Sequence, residues 1–129
     1  MAEVRILIAD DHEVVRRGLA LVLDLQPGFR VVGEAHTGAQ AVSEADRLRP
    51  DVVLLDLKMP ELDGRAAAAQ IKRRQPGARV IVLSGVEVDD DVFDVLEAGV
   101  DGYVPKEVGP DELARAIRQV SEGNRYIHP

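Results

Sequence analysis

The residues of this chain best equipped for chemistry are three carboxylates, a hydroxyl and an ammonium, each just after a short apolar run. Asp10-Asp11 follow Val4 to Ala9, Asp56 follows Asp51 to Leu55, Ser84 follows Arg79 to Leu83, and Lys106 follows Gly102 to Val104 closely. Three carboxylates brought into one crevice repel one another and tend to hold protons. A hard divalent cation relieves that repulsion. Carboxylate oxygens with water suit Mg²⁺ in octahedral geometry and leave positions for a phosphate. With the ion in place, one carboxylate can act as a nucleophile toward a phosphoryl group and form an acyl phosphate. The transferred group needs its equatorial oxygens neutralised. Mg²⁺ takes one, the Lys106 ammonium another and the Ser84 hydroxyl a third, while Gly85 leaves room beside them.

Taken singly, each of these residues has a plainer use. Asp11 suits a helix N-cap. Asp56 suits a turn at a strand end, Ser84 a loop hydroxyl, and Lys106 a solvated surface charge. The joint pattern, four suitable residue types at four strand ends, is far more specific. His12, His36 and His128 lack metal-ligand spacing and read as surface residues.

The elements that would position these groups alternate along the chain. Val4–Ala9 reads as a strand covered on both faces, and Glu13–Leu25 as a helix with Val15, Leu19, Val22 and Leu25 on one face. Arg30–Ala35 is a weaker strand at an edge, Ala39–Leu48 a helix, and Asp51–Leu55 the strongest strand. Leu57–Gly64 is a loop punctuated by Pro60 and Gly64, followed by a helix over Arg65–Arg74 and a strand over Arg79–Leu83. The acids Asp89-Asp90-Asp91 suit the first turn of a helix ending near Ala98-Gly99. Gly102–Val104 is a short strand, and Pro110 opens a last helix to Glu122 with Leu113, Ile117 and Val120 inward. Asn124–Pro129 trails off. Five βα units imply an α/β, flavodoxin-like, doubly wound parallel sheet of five strands in the order 2-1-3-4-5, with five helices. Ligands of such sheets bind beyond the carboxyl ends of the strands, at the switch point between strands 1 and 3.

The totals exclude several classes. The chain has 129 residues, 46% hydrophobic and 30% charged, with a net charge of −7, 3% aromatics and no cysteine. It fits one domain. A negative chain poor in aromatics is a poor binder of phosphate backbones and of single-stranded bases. Absent cysteine removes disulfides and thiolate zinc sites. No apolar run approaches membrane-span length, and Met1–Arg5 lacks a signal-peptide pattern, so the expected location is cytoplasmic. A haloacid-dehalogenase-type phosphatase would need a second Asp two residues after the first, where Lys58 stands. A dinucleotide enzyme would need G-x-G-x-x-G where Asp10-Asp11-His12 stands.

D-D-H at 10–12, D-L-K-M-P-E-L-D-G at 56–64, L-S-G at 83–85 and G-Y-V-P-K at 102–106 together resemble the receiver domains of bacterial two-component response regulators, over essentially all of residues 3–123. The resemblance implies a CheY-like fold with Asp56 as the phosphoacceptor, served by a sensor histidine kinase. It implies that Asp10, Asp11, Asp56 and the Lys58 backbone carbonyl hold Mg²⁺, that Ser84 is the switch hydroxyl, and that Lys106 and Gly85 border the phosphoryl group. Tyr103, three residues before Lys106, matches a rotameric switch aromatic. Its plainer reading is a half-buried strand residue with its hydroxyl in water. E-V-R-I-L-I-A-D-D-H, R-V-V-G-E-A and G-N-R-Y-I-H-P resemble the NarL/FixJ type, in which a linker and a LuxR-type helix-turn-helix follow.

Residues 1–123 are thus expected to be the receiver, and 124–129 the start of a linker or C-terminal tail, with the output domain absent. The same resemblance implies homodimerisation on phosphorylation and control of transcription, with DNA contacted only through the missing domain. It implies a signalling domain rather than an enzyme, limited to self-catalysed phosphoryl transfer and autodephosphorylation. The alternative is a freestanding or phosphorylation-independent receiver acting as a protein-interaction module. Two positions depart from the family's pattern. Pro105 precedes the lysine, which could redirect its path into the pocket, and Gly85 replaces a commoner alanine, which could loosen the following loop.

Overall fold

The computed structural model describes residues 3–85 and 99–127. In chain order it contains β1 (Val4–Ala9), α1 (Glu13–Asp24), β2 (Phe29–Ala35), α2 (Gly38–Leu48), β3 (Val52–Asp56), α3 (Gly64–Arg74), β4 (Arg79–Ser84), β5 (Gly102–Pro105), α4 (Pro110–Ser121) and β6 (Tyr126–Ile127). The helix expected from Asp89 to Ala98 lies outside the described residues. The strands form one sheet in the order β2-β1-β3-β4-β5-β6, every pair parallel. The expected order is therefore present, but with six strands rather than five.

The sixth strand comes from the segment expected to trail off. Tyr126 donates its N–H to the Asp101 carbonyl at 2.9 Å, and Gly102 and Tyr103 pair with Tyr126 and Ile127. The Tyr126 hydroxyl reaches Glu112 on α4 at 3.0 Å. Two residues are too few to show an alternating pattern, so this strand exists because β5 offers an open edge to pair with.

Strand residues alternate between two cores, as a period of two requires. Leu7, Ala9, Val53, Leu55, Val80 and Val82 pack under α2 and α3. Ile6, Ile8, Val52, Leu54, Ile81 and Leu83 pack under α1 and α4. All five residues of β3 are buried, which explains the unbroken apolar run from Val52 to Leu55 that precedes Asp56.

The expected inner face of α1 needs correction. Val15, Val22 and Leu25 are exposed, at 49%, 37% and 83%. Arg16 and Leu23 are the buried residues of the helix. The misreading has a physical cause: the position that an apolar pattern would fill is occupied by an arginine. Its charge is matched inside by Glu34, 2.9 Å from Nε, and by the Asp10 carbonyl, which accepts from its terminal nitrogen at 2.8 Å. Val15 and Val22 instead line a groove of about 300 Å³ between α1 and α4. Among the described residues no helix is long and apolar enough to cross a membrane.

Candidate functional site

Register alone brings the four positions to one rim. Ala9 pairs with Leu55, Asp56 with Leu83, and Ser84 with Pro105. Asp10, Asp56, Ser84 and Lys106 therefore stand within about one residue of a line across the carboxyl ends of β1, β3, β4 and β5. Asp10, Asp56 and Ser84 are 1%, 3% and 1% exposed. Asp56, Lys58, Ser84, Gly85, Lys106 and His12 line a single cavity of about 170 Å³.

Lys106 ties the acids together. Its Nζ donates to Asp56 Oδ2 at 2.8 Å and lies 3.2 Å from Asp10 Oδ2. The second contact is an ion pair without hydrogen-bond geometry, and Asp10 Oδ2 has no hydrogen-bond donor among the described residues. Asp56 Oδ1 accepts from the Lys58 backbone N–H at 3.2 Å. Burial pushes the Asp56 carboxyl above its ordinary value. The Lys106 hydrogen bond and charge act against that rise, and the charge of Asp10 adds to it. For Lys106, burial works to lower the pKa, but Asp56 and Asp10 together outweigh it and hold the ammonium above its usual range.

Pro105 does not divert the lysine. The Lys106 N–H donates to the Ser84 carbonyl at 2.7 Å. Strand alternation then turns the proline nitrogen toward the other edge, past Ile127, the last described residue of β6. No described ladder bond is lost. A Cβ at residue 85 would meet its nearest neighbour, Lys106 Cδ, at an ordinary 3.7 Å. Gly85→Ala is therefore expected to leave folding within about 0.5 kcal/mol of wild type, as equilibrium urea unfolding would show.

Two sequence-level readings of the acidic end change. Asp11 does not cap α1: the N-cap is His12, with no side-chain cap bond. The Asp11 carboxylate is thus not consumed by the helix. His12 is exposed at the surface as expected, yet it does not stand apart from the acids. Its Nδ1 is 3.1 Å from Asp10 Oδ1 and 3.2 Å from Asp11 Oδ1, and its backbone N–H donates to Asp10 at 2.8 Å. One donor atom from each of Asp10, Asp11, His12 and Asp56 falls within 4.8 Å of the others. That donor set, carboxylates with a single imidazole, fits a divalent cation. Adjacency to Asp10-Asp11 was the signal for His12, outside any standard ligand spacing.

Tyr103 is 2% exposed and its hydroxyl has no hydrogen-bond partner among the described residues. The picture of a half-buried ring with its hydroxyl in water is therefore wrong. A buried, unbonded hydroxyl costs about 1–3 kcal/mol.

Arg16 is a supporting residue that sequence reasoning missed. By holding the Asp10 carbonyl it orients the turn that presents Asp10 and Asp11. Removing it strands that carbonyl and leaves Glu34 without its close partner. Arg16→Leu is expected to cost about 2–3 kcal/mol, read as a lower urea midpoint.

Comparison with known proteins agrees with this geometry. The response regulator receiver domain family matches residues 6–118. Response regulator protein VraR of Staphylococcus aureus is 38% identical over 126 residues, which cover 98% of this chain and 60% of VraR. The chain thus spans about three-fifths of the length of the curated relatives it matches. A two-component response regulator of the LuxR family from Aurantimonas has a similar structure, with a TM-score of 0.93 and 32% identity over 99% of this chain and 91% of that one. The signal receiver domain of the response regulator NarL from Mycobacterium tuberculosis gives 0.92 and 32%, over 96% and 100%. Sheet order, rim and relatives lead to one assignment: this chain belongs to the response regulator receiver domain family, with a CheY-like α/β fold and relatives of the NarL/LuxR type.

Proposed function

We propose that this receiver takes a phosphoryl group onto Asp56 from a phosphohistidine of a sensor histidine kinase in the cytoplasm. The observation that supports this most is the Lys106 ammonium bridging the buried carboxylates of Asp56 and Asp10 at 2.8 and 3.2 Å. A carboxylate oxygen of Asp56 attacks phosphorus, the P–N bond breaks, and the electron pair leaves with the imidazole. Asp10, Asp11 and Asp56, with the Lys58 carbonyl, would hold Mg²⁺, which supplies charge neutralisation for the phosphoryl oxygens. Lys106 follows the transferred oxygens as Asp56 becomes an acyl phosphate, the Ser84 hydroxyl supplies a further donor, and Gly85 keeps the mouth of the cavity open.

Phosphorylation then shifts a population between two states. Ser84 is drawn inward, and Tyr103, whose hydroxyl forfeits no described hydrogen bond by turning, changes rotamer. The β5 edge carries that change to neighbouring surfaces, which govern homodimerisation and a LuxR-type DNA-binding region outside this stretch. The domain is a signalling module whose chemistry is confined to its own phosphorylation and autodephosphorylation.

Intact mass after incubation with acetyl phosphate tests the reading. A gain of one phosphoryl group that requires Mg²⁺ is expected. A folded protein that gains none from acetyl phosphate or from a phosphorylated kinase would replace this reading with a phosphorylation-independent interaction module.

A further inference from the structure

Among the described groups of the rim, phosphoryl transfer leaves His12 without a task. Its Nδ1 faces both Asp10 and Asp11 at 3.1 and 3.2 Å. With Asp56 these residues offer four donor atoms within 4.8 Å of one another. Ligands on opposite sides of an ion at about 2.1 Å are about 4.2 Å apart, so the group must close by only a few tenths of an ångström. The imidazole can make that adjustment, because its side chain is 65% exposed and caps no helix N–H.

A second observation points the same way. Asp10 is 1% exposed, yet its Oδ2 has no hydrogen-bond partner among the described residues and is held by the ion pair with Lys106 Nζ at 3.2 Å. A buried carboxylate oxygen held only by charge is a ready metal ligand.

Charge and donor type then separate one ion from another. Three carboxylates against one ammonium leave an excess that a single dication cancels. Neutral imidazole adds a donor without adding charge. Mg²⁺ favours oxygen and keeps waters, so it gains little from His12. Co²⁺, Ni²⁺ and Zn²⁺ are suited to imidazole.

We propose that His12 joins Asp10, Asp11 and Asp56 as a ligand, making the rim a mixed imidazole–carboxylate site that takes a first-row transition dication more tightly than Mg²⁺. The proposal rests on the reading of the same carboxylates as a Mg²⁺ site. In it, His12 sets selectivity between hard and borderline ions. An imidazole in the coordination sphere fills a place that Mg²⁺ would leave to water, so a bound transition ion has fewer positions for a phosphoryl oxygen.

The test uses the full chain with His36→Gln and His128→Gln. The chain has three histidines, so His12 is then its sole imidazole. Co²⁺ and Mg²⁺ are titrated separately by calorimetry into this background and into its His12→Ala and Asp11→Asn versions. Expected are tighter binding of Co²⁺ than Mg²⁺, a loss of about tenfold or more in Co²⁺ affinity with His12→Ala, and a several-fold smaller change in Mg²⁺ affinity in that variant. Asp11→Asn weakens both ions. The proton spectrum of the Co²⁺ form shows hyperfine-shifted imidazole ring C–H resonances, a signal that His12→Ala removes. Co²⁺ affinity unmoved by His12→Ala, or no such resonance, with Mg²⁺ binding intact, overturns the role of His12 and leaves the Mg²⁺ reading standing. A folded background chain that binds neither ion overturns both.

Discussion

Asp56→Asn is expected to abolish phosphoryl uptake completely and, in metal-free buffer at neutral pH, to raise the unfolding temperature. The loss follows because an amide is not a nucleophile toward phosphorus and no other described acid occupies the same strand end. The gain follows from the environment of the carboxylate. Burial is the largest influence on it and disfavours the charged form, and the nearby charge of Asp10 adds to that. The Lys106 hydrogen bond opposes both without cancelling them, so the folded-state pKa stands above the ordinary 3.8.

A carboxyl whose pKa is higher folded than unfolded contributes stability in its protonated form. That contribution is complete below the unfolded pKa and is lost as pH rises through the folded pKa. Where the carboxyl is ionised the wild type carries the penalty of that charge, and the Asn variant does not. The gap in unfolding temperature should narrow as pH is lowered toward 4, which calorimetric scans across that range would show. A dication reverses the order. At ten times its dissociation constant a ligand adds about 1.4 kcal/mol, roughly 5 °C for a domain of this size, and the wild type should gain more than the variant. A wild type that is the more stable of the two without metal at neutral pH would refute this account of the pocket.

The second large effect is steric. Gly64 opens α3 directly beneath β3. A Cβ there would fall 2.3 Å from the Asp56 carbonyl oxygen and 2.8 Å from Leu57 Cα. Both are backbone atoms and cannot swing aside. Gly64 also donates its N–H to the Leu57 carbonyl at 2.9 Å, which fixes the close approach. Gly64→Ala is expected to cost about 3 kcal/mol, lowering the unfolding temperature by roughly 10 °C. The backbone that must yield carries Asp56, the proposed phosphoacceptor, so Mg²⁺ affinity should fall in the same variant. Gly85→Ala, with its nearest contact at 3.7 Å, is the matched control and should leave both quantities near wild type. Equal stability of the two variants would show that the loop below Asp56 relaxes freely.

The strands and the rim are legible in the sequence because they rest on local rules. A buried parallel strand must be apolar on both faces, so Ile6 to Ala9, Val52 to Leu55 and Val80 to Leu83 stand out as unbroken runs within β1, β3 and β4, and each run ends where a polar residue begins. Once five such units alternate with helices, chain topology brings their carboxyl ends together. Asp10, Asp11, Asp56, Ser84 and Lys106 could be named without coordinates for that reason. The inner face of α1 could not be read the same way. Arg16 is buried because Glu34, far along the chain, and the Asp10 carbonyl satisfy its guanidinium, and no helical periodicity announces a satisfied charge. The pairing of Tyr126–Ile127 with β5 is likewise invisible in a segment of two residues.

By itself the sequence determined the order of elements, the strand ends at which chemistry can occur, and the family that those motifs resemble. Those depend on burial and chain direction, which act over a few neighbouring residues. Only the tertiary structure decided how the groups meet. It set the Lys106 ammonium between two buried carboxylates, left Asp11 uncommitted by passing the cap position to His12, and turned the His12 imidazole onto the acids. It also buried the Tyr103 hydroxyl without a described partner. These outcomes depend on distances of a few ångströms between side chains on different strands, and register and packing, not local pattern, fix such distances.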